Sequence, residues 1–246
     1  TLSGGNVSLP GYSGLTLGGP VAATGTLALS SSQGAINQTA GTIAAGMLTG
    51  SSAGSAILLQ ANLVGTLGAF TTGGDFTFNN AQSLTVNNAL SVNGGAGNLT
   101  LTTTGASSDL TLASNLTGNT VILGAGRNIN QTGGGITATR LTGNSTGSTT
   151  LTGANLIGTL GDFSAAGFNL TNAQSLTVSG AVEGGASTTL TTTAGDLAIN
   201  GALSGTTTTL ISAGAITEGA GGNITANLLT GHSVGNATLD GNNHIN

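Results

Sequence analysis

The chain says one of its stretches three times. AINQTAGTIAAGMLTGSSAGSAILLQANLVG, Ala35 to Gly65, returns as NINQTGGGITATRLTGNSTGSTTLTGANLIG, Asn128 to Gly158. A shorter third copy, AITEGAGGNITANLLTGHSVGNATLDGNNHIN, runs from Ala215 to Asn246. Ile36 maps onto Ile129, 93 positions later, and Ile129 onto Ile216, 87 later. Leu48, Leu141 and Leu229 share one column of this alignment; Asn62, Asn155 and Asn243 share another. A long internal repeat constrains a fold more than any local motif, because each copy must present to the next the surface it received from the last. The expected architecture is a stack of similar coils forming a single domain over residues 26–246. Its long units cover approximately 35–127, 128–214 and an incomplete 215–246, and residues 1–25 form an irregular first coil or a junction.

A shorter period runs inside the long one. Strand-like triplets such as Ile57-Leu-Leu59, Phe76-Thr-Phe78, Leu99-Thr-Leu101 and Val121-Ile-Leu123 recur along the chain. From Leu58 the steps are 20 to Phe78, 23 to Leu101, 22 to Leu123, 28 to Leu151, 19 to Leu170, 20 to Leu190, 20 to Leu210 and 29 to Leu239. This spacing predicts coils of about 20 residues with one enlarged coil per long repeat. Second strands follow within the coils: Ser83-Leu-Thr-Val86 matches Ser175-Leu-Thr-Val178, and Asp109-Leu-Thr-Leu112 matches Asp196-Leu-Ala-Ile199. Apolar and small polar residues alternate with period two, which buries one face of each strand and solvates the other. Strands of three to five residues cannot stand alone and need neighbours above and below. The expected fold is therefore all-β, a parallel β-helix or β-solenoid. Leu, Ile, Val and Phe stack in interior columns, Thr lies outside, and Asn stacks at the turns.

Composition closes off other classes. The chain has 246 residues, 45 of them Gly, and only 4% are charged. Positive mean hydropathy and regular apolar spacing oppose disorder, and Gly lacks the three-residue period of collagen. Arg127 and Arg140 are the only cations besides two His, too few to release counterions from nucleic acid. Without Cys there is no disulfide framework. No apolar run approaches the ~20 residues of a membrane helix, and one Tyr with no Trp argues against the aromatic girdles of an outer-membrane barrel. The chain starts at Thr1 without a signal peptide and ends inside the third copy, so it is expected to be a fragment of a longer polypeptide.

Gly195-Asp-Leu-Ala-Ile-Asn-Gly-Ala-Leu-Ser-Gly205, continued by Thr206 to Ile216, resembles the shaft repeats of filamentous-haemagglutinin-like adhesins. Leu99 to Thr102 and Asp109 to Leu112 read the same way. These are exoproteins of two-partner secretion in Gram-negative bacteria. The resemblance covers nearly the whole chain after Thr26 in style and period; the family's NPNG-type and NPNL-type secretion motifs have no match. It implies a right-handed β-helical passenger, secreted or on the cell surface, and an outer-membrane secretion transporter as export partner.

Candidate chemistry is sparse. The carboxylates are Asp75, Asp109, Asp162, Glu183, Asp196, Glu218 and Asp240. Asp109 and Asp196 occupy matching positions just before a strand, which reads as repeated turn chemistry rather than the acidic groove of a polysaccharide-cleaving enzyme. With two Arg and no Lys, little would stabilise a developing oxyanion. His232 and His244 lack a third ligand at metal spacing. Gly94 to Asn98 is not a calcium β-roll repeat, since it does not recur. Gly133 to Gly135 is not a phosphate loop, since no Lys follows. Thr100 to Thr102, Thr189 to Thr191 and Thr206 to Thr209 are candidates for an ice-ordering ladder, against the plainer reading that Thr suits exposed strands. Nine N-x-S/T sequons, from Asn6 to Asn236, arise readily in so Asn- and Thr-rich a chain. No catalytic, cofactor-binding or metal-binding residue is assigned, and no cofactor is expected. The expected function is a structural or adhesive shaft that meets surface receptors or glycans and is not an enzyme. The alternatives are a self-associating filament subunit and a carbohydrate-active or ice-binding solenoid. Protruding contacts are expected at the enlarged coils, around Thr132 to Ser148 and Gly219 to Asn236.

Overall fold

The alternating pattern becomes strands, and every strand pairing among the described residues is parallel. In the computed structural model, which describes residues 2–246, twenty-six strands join one continuous sheet. The sheet winds into a parallel β-solenoid of about 12 coils. The only helical segment among the described residues is a single 3-10 turn, Asn93–Gly95. Residues 2–25 carry the strands Leu2–Gly4, Val7–Gly11 and Leu15–Leu17, each paired in register with the following coil.

A coil has three strands. Phe76–Asn80, Leu84–Val86 and Leu90–Val92 make one coil, and Leu99 then returns onto Phe76. Along Phe76–Asn80 the residues alternate between core and surface: Phe76, Phe78 and Asn80 point in, Thr77 and Asn79 outward. The inward positions stack as columns. Ile36, Ala56, Phe76, Leu99, Val121 and Leu141 are successive partners, and all are essentially inaccessible to solvent. A buried Leu or Phe stabilises by about 1.5–3 kcal/mol relative to an exposed one. That gain exists only when the neighbouring coil is in place.

Two aromatic steps recur with the long unit. Phe70 lies across Gly50, and Phe163 across Gly143, at places where an added Cβ would meet the ring at 2.6 and 2.9 Å. Each ring then packs on the next phenylalanine, Phe70 on Phe76 at 4.6 Å between centroids and Phe163 on Phe168 at 4.7 Å. Glycine is required there because the preceding coil's carbonyl, that of Leu29 or Leu123, and the next coil's ring both lie where a side chain would be.

The interior is not wholly aliphatic. Thr149, Thr188 and Thr208 stack with Phe168 in one inward column and are buried. The stretch Thr206 to Thr209 is therefore not an outward ladder, because Thr208 points into the core. A β-strand alternates faces whatever its residue type, so a run of Thr cannot all face one way.

The enlarged coil does not exist. Leu123 pairs with Gly143, 20 residues on, and Leu210 with Gly231, 21 on. Leu151 pairs instead with Leu170, so the step of 28 joins leucines on different faces. Thr132 to Ser148 and Gly219 to Asn236 hold the ordinary strands Ile136–Ser145 and Asn223–Ser233 and no protruding loop. The same pairings show what the long unit is. Four coils carry Ile36 to Val121, and Ile129 lies one strand further. Four coils likewise carry Ile129 to Thr208, and Ile216 lies one strand beyond. The repeat thus advances four coils and one face, turning its surface about a third of a revolution per copy. At a spacing of ~4.8 Å per coil that is a rise of about 21 Å.

This geometry has a direct check. Thr71 and Leu156 lie in one outward column through Ser91, Thr117 and Thr137, four coils apart. Leu63, the repeat equivalent of Leu156, belongs to another face, beside Ala44. Spin labels on a Thr71→Cys, Leu156→Cys pair should lie about 19 Å apart at the backbone, and a Leu63→Cys, Leu156→Cys pair measurably further. The opposite order in pulsed dipolar spectroscopy would contradict the one-face advance.

Candidate functional site

Polar chemistry in this rod is concentrated at the corners, where the backbone turns from one face to the next and leaves ladder groups unpaired. Two devices recur there.

The first is a buried amide bridge. Asn62 is fully buried. Its Oδ1 accepts from Ile43 N–H at 2.9 Å and Gln38 Nε2 at 2.7 Å, while its Nδ2 donates to Gln38 Oε1 at 3.1 Å and to the Asn79 carbonyl at 3.0 Å. The second copy repeats this atom for atom. Asn155 accepts from Ile136 N–H at 2.8 Å and Gln131 Nε2 at 2.9 Å, and donates to Gln131 Oε1 at 3.1 Å and the Thr171 carbonyl at 2.9 Å. In the following coils Asn80 and Asn172 continue the column, each accepting from and donating to the backbone of Val64 or Ile157 and donating also to the carbonyl of Gln82 or Gln174. The expected Asn column is present, but its amides bond Gln and backbone rather than one another. An amide with both a donor and an acceptor end suits a corner that leaves one N–H and one C=O unpaired.

The second device is a ladder at the strand starts. Ser83 Oγ accepts from Asp109 N–H at 3.1 Å, Asp109 Oδ1 from Asn128 N–H at 3.0 Å, and Asn128 Oδ1 from Ser148 N–H at 2.9 Å. Ser175, Asp196 and Ala215 repeat it at 3.0 and 2.7 Å. Asp75 and Asp162 each accept one backbone N–H from the next coil, those of Asn98 and Ala181. Asp109 and Asp196 are thus backbone acceptors in matching places, and the structure gathers neither into an acidic groove.

Asp109 also forms a two-pronged ion pair with Arg127, through Nε at 2.7 Å and Nη2. The Arg127 guanidinium holds the Asp109 carboxyl below the usual carboxylate range; partial burial opposes the shift, and the Asn128 N–H supports it. The folded pKa is depressed, so this contribution to stability is present above the unfolded pKa and lost as pH falls through the folded one.

His232 and His244 lie on separate strands, Asn223–Ser233 and His244–Ile245. No group of three or more His, Asp or Glu that could hold a metal occurs among the described residues. No helix among them is long and apolar enough to cross a membrane. The outward Thr column Thr189, Thr209, Thr230 is preceded by Asn169, and its neighbour column passes from Thr191 to Ile211 and His232.

Two shallow surface grooves occupy equivalent repeat positions. One, of about 520 Å³, includes Thr117, Gly118, Thr137, Ala138 and Thr139. The other, of about 340 Å³, includes Ser204, Gly205, Thr225, Ala226 and Asn227. The alignment of Ile136-Thr-Ala138 with Ile224-Thr-Ala226 shows that they are the same feature in successive copies. Nothing in the apolar periodicity marked them; the small residues at Gly118 and Gly205 were the available signal. Comparison with protein-family models, curated proteins and solved structures found no match.

Removing the amide bridge should be costly. Asn62→Ala strands the Ile43 N–H and unpairs Gln38, and should lower stability by about 3 kcal/mol in denaturant unfolding. An exposed Asn changed in the same way should cost under about 0.5 kcal/mol.

Proposed function

We propose that this chain is a shaft segment of a secreted or cell-surface protein, structural and adhesive, acting by length, stiffness and repeated surface contacts. The observation that carries this reading is the groove that the second copy holds at Thr137 and the third repeats at Thr225. A partner bound at Thr137 finds the equivalent position at Thr225 about 21 Å along the rod and a third of a turn around it. Single contacts in so shallow a groove are weak, and an array converts them into avidity. The linings are mostly Thr, Ser, Asn, Ala and Gly, with Glu183 in one groove and Leu156 in the other, and suit the hydroxyls and apolar ring faces of a glycan or an exposed protein backbone. The likeness to filamentous-haemagglutinin shafts supports export through an outer-membrane transporter and presentation outside the cell. No bond-making step is assigned to Asp75, Asp109, Asp162 or Asp196, each of which accepts a corner N–H.

The test is attachment. Beads carrying the purified chain should bind saturably to surfaces coated with extracellular glycans or matrix proteins. A Thr137→Trp, Thr225→Trp variant, which fills both grooves at exposed positions, should bind several-fold less while unfolding at the same temperature. Failure of the wild type to attach to any such surface would overturn the reading. So would turnover of an acidic polysaccharide that Asp109→Asn or Asp196→Asn abolishes.

A further inference from the structure

The third copy breaks the amide bridge in one atom. Where the first two copies have Gln38 and Gln131, the third has Glu218. Glu218 Oε2 reproduces what each glutamine Oε1 does. It accepts from Gly241 N–H at 2.7 Å and from Asn243 Nδ2 at 2.9 Å, as Gln131 Oε1 accepts from Gly153 N–H at 2.8 Å and Asn155 Nδ2 at 3.1 Å. The other end differs. Gln38 Nε2 donates to the Gly41 carbonyl and Asn62 Oδ1, and Gln131 Nε2 to the Gly134 carbonyl and Asn155 Oδ1. In Glu218 that donor is replaced by a carboxylate oxygen, Oε1, which is buried and has no partner. The other buried side-chain atoms without a partner among the described residues, on Ser31, Asn79 and Thr208, are uncharged. An unpaired buried carboxylate oxygen is far costlier than an unpaired hydroxyl.

A second change accompanies the first. Five residue steps separate Gln38 from Ile43 and Gln131 from Ile136, but six separate Glu218 from Ile224. The additional residue in Gly219-Ala-Gly-Gly222 opens this corner into a cavity of about 470 Å³, lined by Glu218, Asp240 and the backbone of residues 219–223. The carbonyl of Gly222 faces the same side of Gly241 as Glu218 Oε1: each lies 2.6 Å from where a Cβ on Gly241 would sit. Neither arginine belongs to residues 215–246. A buried carboxylate oxygen and a carbonyl beside one widened corner, with the exposed Asp240 on the same lining, are the oxygen donors that a hard cation takes.

We infer that the Glu218 corner, with Asp240 and the Gly222 carbonyl, binds a divalent cation of the calcium type that replaces the glutamine donor of the other two copies. The cation bridges Glu218 Oε1 to the turn carbonyl, as the NH2 group does at Gln38 and Gln131. It locks the corner between residues 218–223 and 240–243. This inference does not depend on the adhesive reading.

Calcium chloride titrated calorimetrically into the metal-free 246-residue chain should show one bound equivalent. At calcium ten times the measured Kd, exchange of the Gly241 and Ile224 amide protons should slow about tenfold. Glu218→Gln restores the bridge of the first two copies, so this variant should fold, bind no calcium there, and protect both amides with or without the ion. Three results would each overturn the site: a wild-type chain that neither binds calcium nor changes its exchange, a Glu218→Gln variant that keeps the calcium response, or protection that follows pH alone.

Discussion

Each coil of this rod is held by the coils on either side of it. A three-residue strand such as Leu84–Val86 cannot pay its backbone entropy from its own contacts. Parallel pairing supplies hydrogen bonds on both edges, and stacking places Leu84 over Leu110 and Val86 over Leu112, so all four are buried. Interior columns and backbone ladders are thus one interaction seen from two directions. A slip of one residue would turn every inward side chain outward, and register is held over the whole length for that reason.

The corners follow from the same constraint. Where the sheet bends, ladder groups lose their partners, and the chain answers with short side chains that reach one coil spacing. Asn62 and Asn155 do this inside the core, and Asp75, Asp109, Asp162 and Asp196 at the strand starts. This places a charge where only one acceptor is wanted, and it explains why so few charges suffice. It also explains why two aspartates recur at matching repeat positions: both answer one structural need, the N–H of the next coil.

The alternation in Phe76–Asn80 and Leu99–Thr103 was enough to read parallel coils of about 20 residues from the text, and the Asn62, Asn155 column was visible as aligned polar residues in an apolar setting. Face assignment was not legible. Leu123 and Leu151 look alike as residues, and only pairing shows that Leu123 meets Gly143 while Leu151 begins a different column. Counting one residue type therefore turned an extra face into an enlarged coil. The buried Thr188 and Thr208 were missed for a related reason: Thr serves equally on either side of a strand, and residue type alone does not say which. The exchange of Gln131 for Glu218 stood in the alignment, but its consequence needed the partners of both carboxylate oxygens.

The account rests on aligned aliphatic columns inside the rod, and Leu190 tests it most directly. Leu190 pairs with Leu170 below and Leu210 above, and all three are buried. Native-state hydrogen exchange on a Leu190→Asp variant should show protection lost across the neighbouring coils, with stability lowered by several kcal/mol, on the order of 3–5 kcal/mol, for one unpaired buried charge. Wild-type protection and an unchanged unfolding midpoint in that variant would mean that Leu190 faces solvent, and the stacked-column account would be contradicted.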